Sequence, residues 1–206
     1  MILPITVSKY NLLKSIYYGK GIRFTDLMKK AKASTATAQQ RVKELIDSGV
    51  AVEKIEKSGK KVLNRKFYPN FESEEGRTLF SLVELDKKSA FLKRYAAFAG
   101  PVKHLLNESL PHVKVIIIFG SFANYSAGKE SDLDLLFLVD KKYDFSKAVE
   151  RSLSTLECEI SPRIELVADF KKNINDSLHK TIIENHVIIS GALDFINIIG
   201  RDSLEK

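Results

Sequence analysis

The sequence predicts a mixed α/β (α+β) chain: a helical domain closed by a basic hairpin over residues 1–70, a helical connector over 71–110, and a mixed sheet flanked by helices over 111–206. Three observations carry this. Apolar residues recur at helical spacing early in the chain and at strand spacing in "VAVEKI" and "VLNRKFYP". From His112 onward, apolar strands alternate with amphipathic helices. The charge also changes sign along the chain. Residues 1–70 hold 15 Lys and Arg against 5 Asp and Glu, whereas residues 71–206 hold 18 against 21. The net charge of +7 therefore belongs to the N-terminal third, and a polyanion partner is expected there.

Segment 8–18 places Leu12, Leu13, Ile16 and Tyr17 on one helical face, and "GKG" stops it. "FTDLMKKAKA" reads as a short helix opening at Thr25. "STATAQQRVKELIDSG" reads as a longer one, capped by Ser34 or Thr35, closed by Gly49, with Ala38, Val42, Leu45 and Ile46 as its apolar stripe. "VAVEKI", the turn "EKSGKK" and "VLNRKFYP" complete a hairpin. On the polar side of the longer helix stand Thr37, Gln39, Gln40 and Lys43, side chains suited to base edges and phosphates. Lys57, Lys60 and Lys61 in the turn suit phosphate contacts. Glu44 and Asp47, at the helix's far end, should repel a backbone. This order of helices and hairpin resembles the winged helix-turn-helix domain of MarR-like regulators. The resemblance implies double-stranded DNA as partner and a homodimer, for which the connector "TLFSLVELDKKSAFLKRYAAFA" offers an interface.

Composition excludes several classes. No apolar run reaches about 18 residues, so no membrane span is expected. "MILPITVSKY" lacks the basic start and apolar core of a secretion signal, so a cytoplasmic location is expected. Cys158 is the single cysteine, and the four histidines show no metal-ligand spacing.

The C-terminal part reads as strand "HVKVIIIF", strand "DLDLLFLVD", helix "FSKAVERSLSTLE", strand "RIELVAD", helix "FKKNINDSLHKTIIENH" and the short apolar "VIIS". Between the first two strands lies "GSFANYSAGKE". Ala123 to Lys129 mimics a phosphate-binding A-x-x-x-x-G-K loop, but Glu130 stands where a Ser or Thr must hold magnesium, and a strand follows where a helix is needed. Gly120 and Ser121, directly after a strand, offer backbone N–H groups and a hydroxyl to phosphate oxygens. Asp132 and Asp134 alternate along a strand and so share a face. Carboxylate oxygens together with phosphate oxygens and water suit Mg2+, and two such ions about 3.5–4 Å apart stabilise both oxygens of an in-line displacement. A third carboxylate is expected from "RIELVAD": Glu165, or Asp169 on the same face.

Gly120-Ser121, Asp132-Leu133-Asp134 and the later acidic strand residue resemble the minimal nucleotidyltransferases of the DNA polymerase β superfamily. That resemblance implies a mixed sheet, two Mg2+ ions, a nucleoside triphosphate, and transfer of a nucleotidyl group to an acceptor hydroxyl. It assigns Gly120 and Ser121 to the triphosphate, Asp132 and Asp134 to metal, and Glu165 to the third carboxylate and base. Many members carry an Arg-Gly pair after the Gly-Ser. Here Asn124-Tyr125 stand there, leaving Lys129 as the candidate cation. Minimal nucleotidyltransferases often partner HEPN proteins in toxin–antitoxin pairs, which implies an antitoxin-type role. The competing expectation is a transcriptional regulator whose nucleotidyltransferase fold only binds or senses a nucleotide.

Overall fold

The computed structural model describes residues 6–19, 21–31, 34–58, 61–108 and 110–200. They fall into two compact units that divide between Val83 and Glu84, with Gly200 grouped with the first.

The first unit runs α1 (Val7–Gly19), β1 (Ile22–Arg23), α2 (Phe24–Ala31), α3 (Thr35–Asp47), β2 (Ala51–Ser58) and β3 (Lys61–Pro69). Ser34 caps α3: its hydroxyl accepts the Thr37 N–H at 3.2 Å, satisfying a donor the helix itself cannot. Gly49 ends the helix in the left-handed region, φ +71°, where its N–H reaches Ile46 O at 2.9 Å. Ala38, Val42 and Leu45 are buried as the period requires. So are Leu12, Leu13 and Ile16, where α1 packs on α2, α3 and β3. The sheet is antiparallel, in the order β1-β3-β2. The two-residue β1 falls between the helix stop "GKG" and the helix read from "FTDLMKKAKA", where the sequence reading placed no element. It is too short to carry a period, and exists because Ile22 and Arg23 pair with Phe67 and Lys66.

Glu44 ties α1 to α3. The buried Lys9 ammonium sits 2.6 Å from it and the Arg41 guanidinium 2.9 Å, and these two, Lys9 foremost, hold its carboxyl below the usual range.

The second unit begins within α4 (Glu74–Arg94). It continues through a 3₁₀ turn (Ala96–Phe98), α5 (Ala99–Asn107), β4 (Val113–Ile118), α6 (Gly120–Ala123), β5 (Leu133–Val139), α7 (Ser146–Leu153), β6 (Ile160–Leu166), α8 (Val167–Lys172), α9 (Ser177–Glu184), β7 (Val187–Ser190) and α10 (Ala192–Gly200). The expected mixed sheet is present, in the order β6-β5-β4-β7. β4 is antiparallel to β5 and β7, while β5 is parallel to β6. Leu133, Leu135, Phe137 and Val139 of β5 join Ile116, Ile118 and helix residues such as Phe91, Phe98 and Val149 in one core. Leu136 and Leu138 on the other face of β5 are also fully buried. A strand covered on both faces must be apolar throughout, which is why its sequence reads as a continuous run after Asp134.

The long helix expected over 170–186 is two helices, broken at Asn173–Asp176, where α9 starts from Asp176 in extended conformation. "VIIS" is the edge strand β7. After it Gly191 takes φ +77°, because a Cβ there would lie 1.9 Å from Lys114 O. Two of the histidines are packing groups. His179 lies 2.9 Å from the Glu165 carboxylate and against the Phe170 ring; His186 lies 3.2 Å from Glu84 and against Phe195. Among the described residues no helix is long and apolar enough to cross a membrane.

Candidate functional site

The site forms where β4 ends. Phe119 N–H donates to Asp134 O at 3.1 Å, which brings the strand exit level with β5. Gly120 then turns the chain at φ +66°, and α6 begins. A Cβ on Gly120 would lie 2.1 Å from Asp134 Oδ2. Glycine is required here on two grounds, the positive φ and the carboxylate occupying the space a side chain would need.

Ser121, half-buried, follows in α6, and its carbonyl accepts the Ser126 N–H at 2.9 Å. Tyr125 closes this turn at φ +63° with its N–H on Phe122 O at 3.2 Å. The second turn is held by Gly128 N–H donating to Ser131 Oγ at 2.9 Å, and Lys129 stands exposed on it. The chain then enters β5, where Leu133 N–H meets Glu159 O at 2.7 Å.

Asp132, exposed just before β5, and the half-buried Asp134 at its start are two residues apart, close enough for the charge of one to act on the other. Burial first, and then the Asp132 charge, push the Asp134 carboxyl above its usual range. Burial and the same Asp132 charge push up the Cys158 thiol. A carboxylate crowded by a neighbouring one fits a hard divalent cation, which would relieve that repulsion.

The third carboxylate is placed elsewhere. The β5–β6 ladder pairs Asp134 with Ser161 and Leu138 with Glu165, so Glu165 lies four residues further along the sheet, about 13 Å at about 3.3 Å per residue. There its carboxylate is buried against His179, with Arg163 Nε at 3.5 Å. Asp169, the alternative, is exposed in the first turn of α8. Among the described residues no group of three His, Cys, Asp or Glu side chains is placed to hold a metal. The expectation that Glu165 joins the aspartate pair is thus corrected by strand register, which no local pattern reports. Extended one residue back, the same register sets Glu159 level with Asp132.

Sequence reasoning also missed the aromatic and cationic neighbours of the turn. The Tyr95 and Tyr125 rings stack 6.2 Å apart at 4°, Tyr95 meets Phe122 edge-on at 5.4 Å, and the Arg94 guanidinium lies 5.2 Å from the Tyr125 centroid. No spacing links Arg94 to Tyr125; the meeting of the end of α4 with the turn after α6 does.

In the first unit, Gln39 and Lys43 are exposed on α3, while Thr37 bonds Ser34 at 2.9 Å and the Gln40 amide donates to Glu44 at 3.3 Å. Lys60 and the side chains of Lys57 and Lys61 lie outside the described residues. On the hairpin, Arg65 pairs with Glu53 and Lys66 with Glu56, the latter at 2.7 Å. A cavity of about 600 Å³ in this unit is lined by Arg23, Asp26, Lys29, Lys30, Asn64 and Lys66 among others.

Residues 101–192 match the family described as "Polymerase beta, Nucleotidyltransferase". The match spans less than half of the 206 residues and contains Gly120, Ser121 and both aspartates. No curated protein matches the chain. A solved structure titled "Crystal structure of the toxin-antitoxin with AMP-PNP" aligns with 50% of this chain and 82% of its own, at 15% identity and a TM-score of 0.39.

Proposed function

We propose that the chain is a cytoplasmic, magnesium-dependent nucleotidyltransferase that moves a nucleoside monophosphate from a triphosphate onto an acceptor hydroxyl, carried to double-stranded DNA by a winged-helix first unit. The observation that carries the site reading is the seat of Gly120 against Asp134, with 2.1 Å left for a Cβ. It sets a backbone turn able to take phosphate oxygens directly beside a carboxylate pair able to take a cation. The domain match over residues 101–192 supports the reaction class.

In this reading the Gly120 and Ser121 N–H groups and the Ser121 hydroxyl bind triphosphate oxygens, and Asp132 with Asp134 holds Mg2+. When bound, the ion supplies Lewis-acid charge at the phosphoryl oxygens. The proton of the acceptor hydroxyl is not assigned to Glu165, whose carboxylate faces His179.

The test is calorimetry of each nucleoside triphosphate with Mg2+ on the wild type and on Asp132→Ala/Asp134→Ala. Metal-dependent binding lost by about 100-fold or more in the variant is the expected result, since a charge-assisted site loses both its ligands. Equal binding by both proteins removes the aspartates from the site.

A second reading, a regulator that binds a nucleotide without turnover, is favoured by the described residues bringing no group of three His, Cys, Asp or Glu side chains together to hold a metal. Pyrophosphate release by the wild type decides between the two.

The basic balance of residues 1–70 supports DNA as the first unit's partner. Affinity for duplex DNA is expected to fall steeply between 50 and 200 mM salt, by about 10³-fold if about six phosphates are contacted. A flat response removes DNA as the partner. A HEPN-type protein as acceptor or antitoxin partner follows from the family resemblance. A homodimer through α4 is supported by exposed Leu82 and Leu85, three residues apart on that helix.

A further inference from the structure

We infer that Arg94, from the last turn of α4, is the cation that binds the triphosphate of the nucleotide seated at the Gly120-Ser121 turn. The inference rests on the nucleotide-site reading above and adds to it a residue remote in sequence from the turn.

A nucleoside triphosphate brings several negative charges to this corner of the sheet, and the turn meets it with two aspartates and no cation. Magnesium on the aspartates offsets part of that charge; the outer phosphates need a further positive partner. Lys129 stands exposed on the neighbouring turn, at the end of a flexible stem.

Arg94 is differently held. Its guanidinium lies 5.2 Å from the Tyr125 ring centroid and 5.9 Å from that of Tyr95, within cation–π range of both. Tyr125 is fixed in turn. It takes φ +63°, a strained conformation for an aromatic residue, and keeps it through its N–H bond to Phe122 O and the parallel stack on Tyr95. The next residue, Ser126, donates its N–H to Ser121 O at 2.9 Å, so the ring platform and the phosphate-binding turn are one hydrogen-bonded unit.

Arg94 is exposed and pairs with no carboxylate among the described residues. The C-terminal end of α4 accounts for a cation at this position through the helix dipole, but not for its seat on a tyrosine beside the turn. A guanidinium held over an aromatic ring still has five N–H donors, and its fork matches phosphate oxygens two at a time.

The test is calorimetry with the full-length protein and Mg2+, using the four nucleoside triphosphates and their monophosphates, on wild type, Arg94→Ala and Arg94→Lys. Arg94→Ala is expected to weaken triphosphate binding about 10- to 100-fold, as loss of a bidentate charged contact does, and monophosphate binding far less. Arg94→Lys should recover part of the loss, since it keeps the charge and gives up the fork. Equal weakening of tri- and monophosphates would make Arg94 a support for the turn and overturn the inference. If the wild type binds a triphosphate and Arg94→Ala binds it equally, the inference falls and the site stands. If the wild type binds none, the site reading fails and this inference with it.

Discussion

Gly120→Ala is expected to abolish metal-dependent nucleotide binding and to lower stability by about 1–2 kcal/mol, the cost of an L-residue in the left-handed region. At φ +66° the new methyl would meet Asp134 Oδ2 at 2.1 Å, closer than any real Cβ contact. The carboxylate is the free end of a side chain, so it swings away more cheaply than the backbone shifts. The fold therefore survives while the cation site is dismantled. Calorimetry with Mg2+ and nucleoside triphosphate reads the first effect, and thermal unfolding the second. Gly128→Ala is the matched control: a Cβ there meets nothing within 4 Å, and binding should be unchanged. A Gly120→Ala protein that binds nucleotide normally would show that Asp134 is not part of the site.

His179→Ala carries the largest expected cost to the fold, about 3–5 kcal/mol. Glu165 is 8% exposed and His179 3%, and their contact is 2.9 Å. Removing the imidazole leaves the buried Glu165 side chain facing a cavity, with only the more distant Arg163 at 3.5 Å. Urea unfolding measures the loss. Pairing His179→Phe with Glu165→Leu should recover much of it, because replacing both partners of a buried polar contact by apolar groups of similar volume leaves no group unsatisfied. Glu165→Gln should leave metal-dependent nucleotide binding unchanged, because the Glu165 carboxylate faces His179 and lies four residues along the sheet from Asp134.

Most of the secondary structure was legible because it is locally encoded. The α3 stripe of Ala38, Val42 and Leu45 and the Ser34 cap are written within one helix, and both reappear in the structure. So are the two strands around the Gly-Ser turn, whose apolar runs are long enough to declare themselves. Elements supported only by distant partners were not legible. β1 is two residues long and exists through β3, and β7 was an apolar fragment until β4 gave it a place. The break between α8 and α9 lies in "NIND", polar residues compatible with either a helix or a turn.

The sequence by itself determined the turn and the aspartate pair. Gly120 with Ser121 stands at a strand end, and Asp132 with Asp134 stands two residues apart where the next strand begins, because spacing along the chain is a property of the sequence alone. Only the tertiary structure decided what surrounds them. It placed Glu165 level with Leu138 rather than beside Asp134, and it brought Arg94 onto Tyr125. Register between parallel strands and the meeting of a helix end with a distant turn are set by packing between segments far apart in the chain. The side chains of one segment carry no record of that offset.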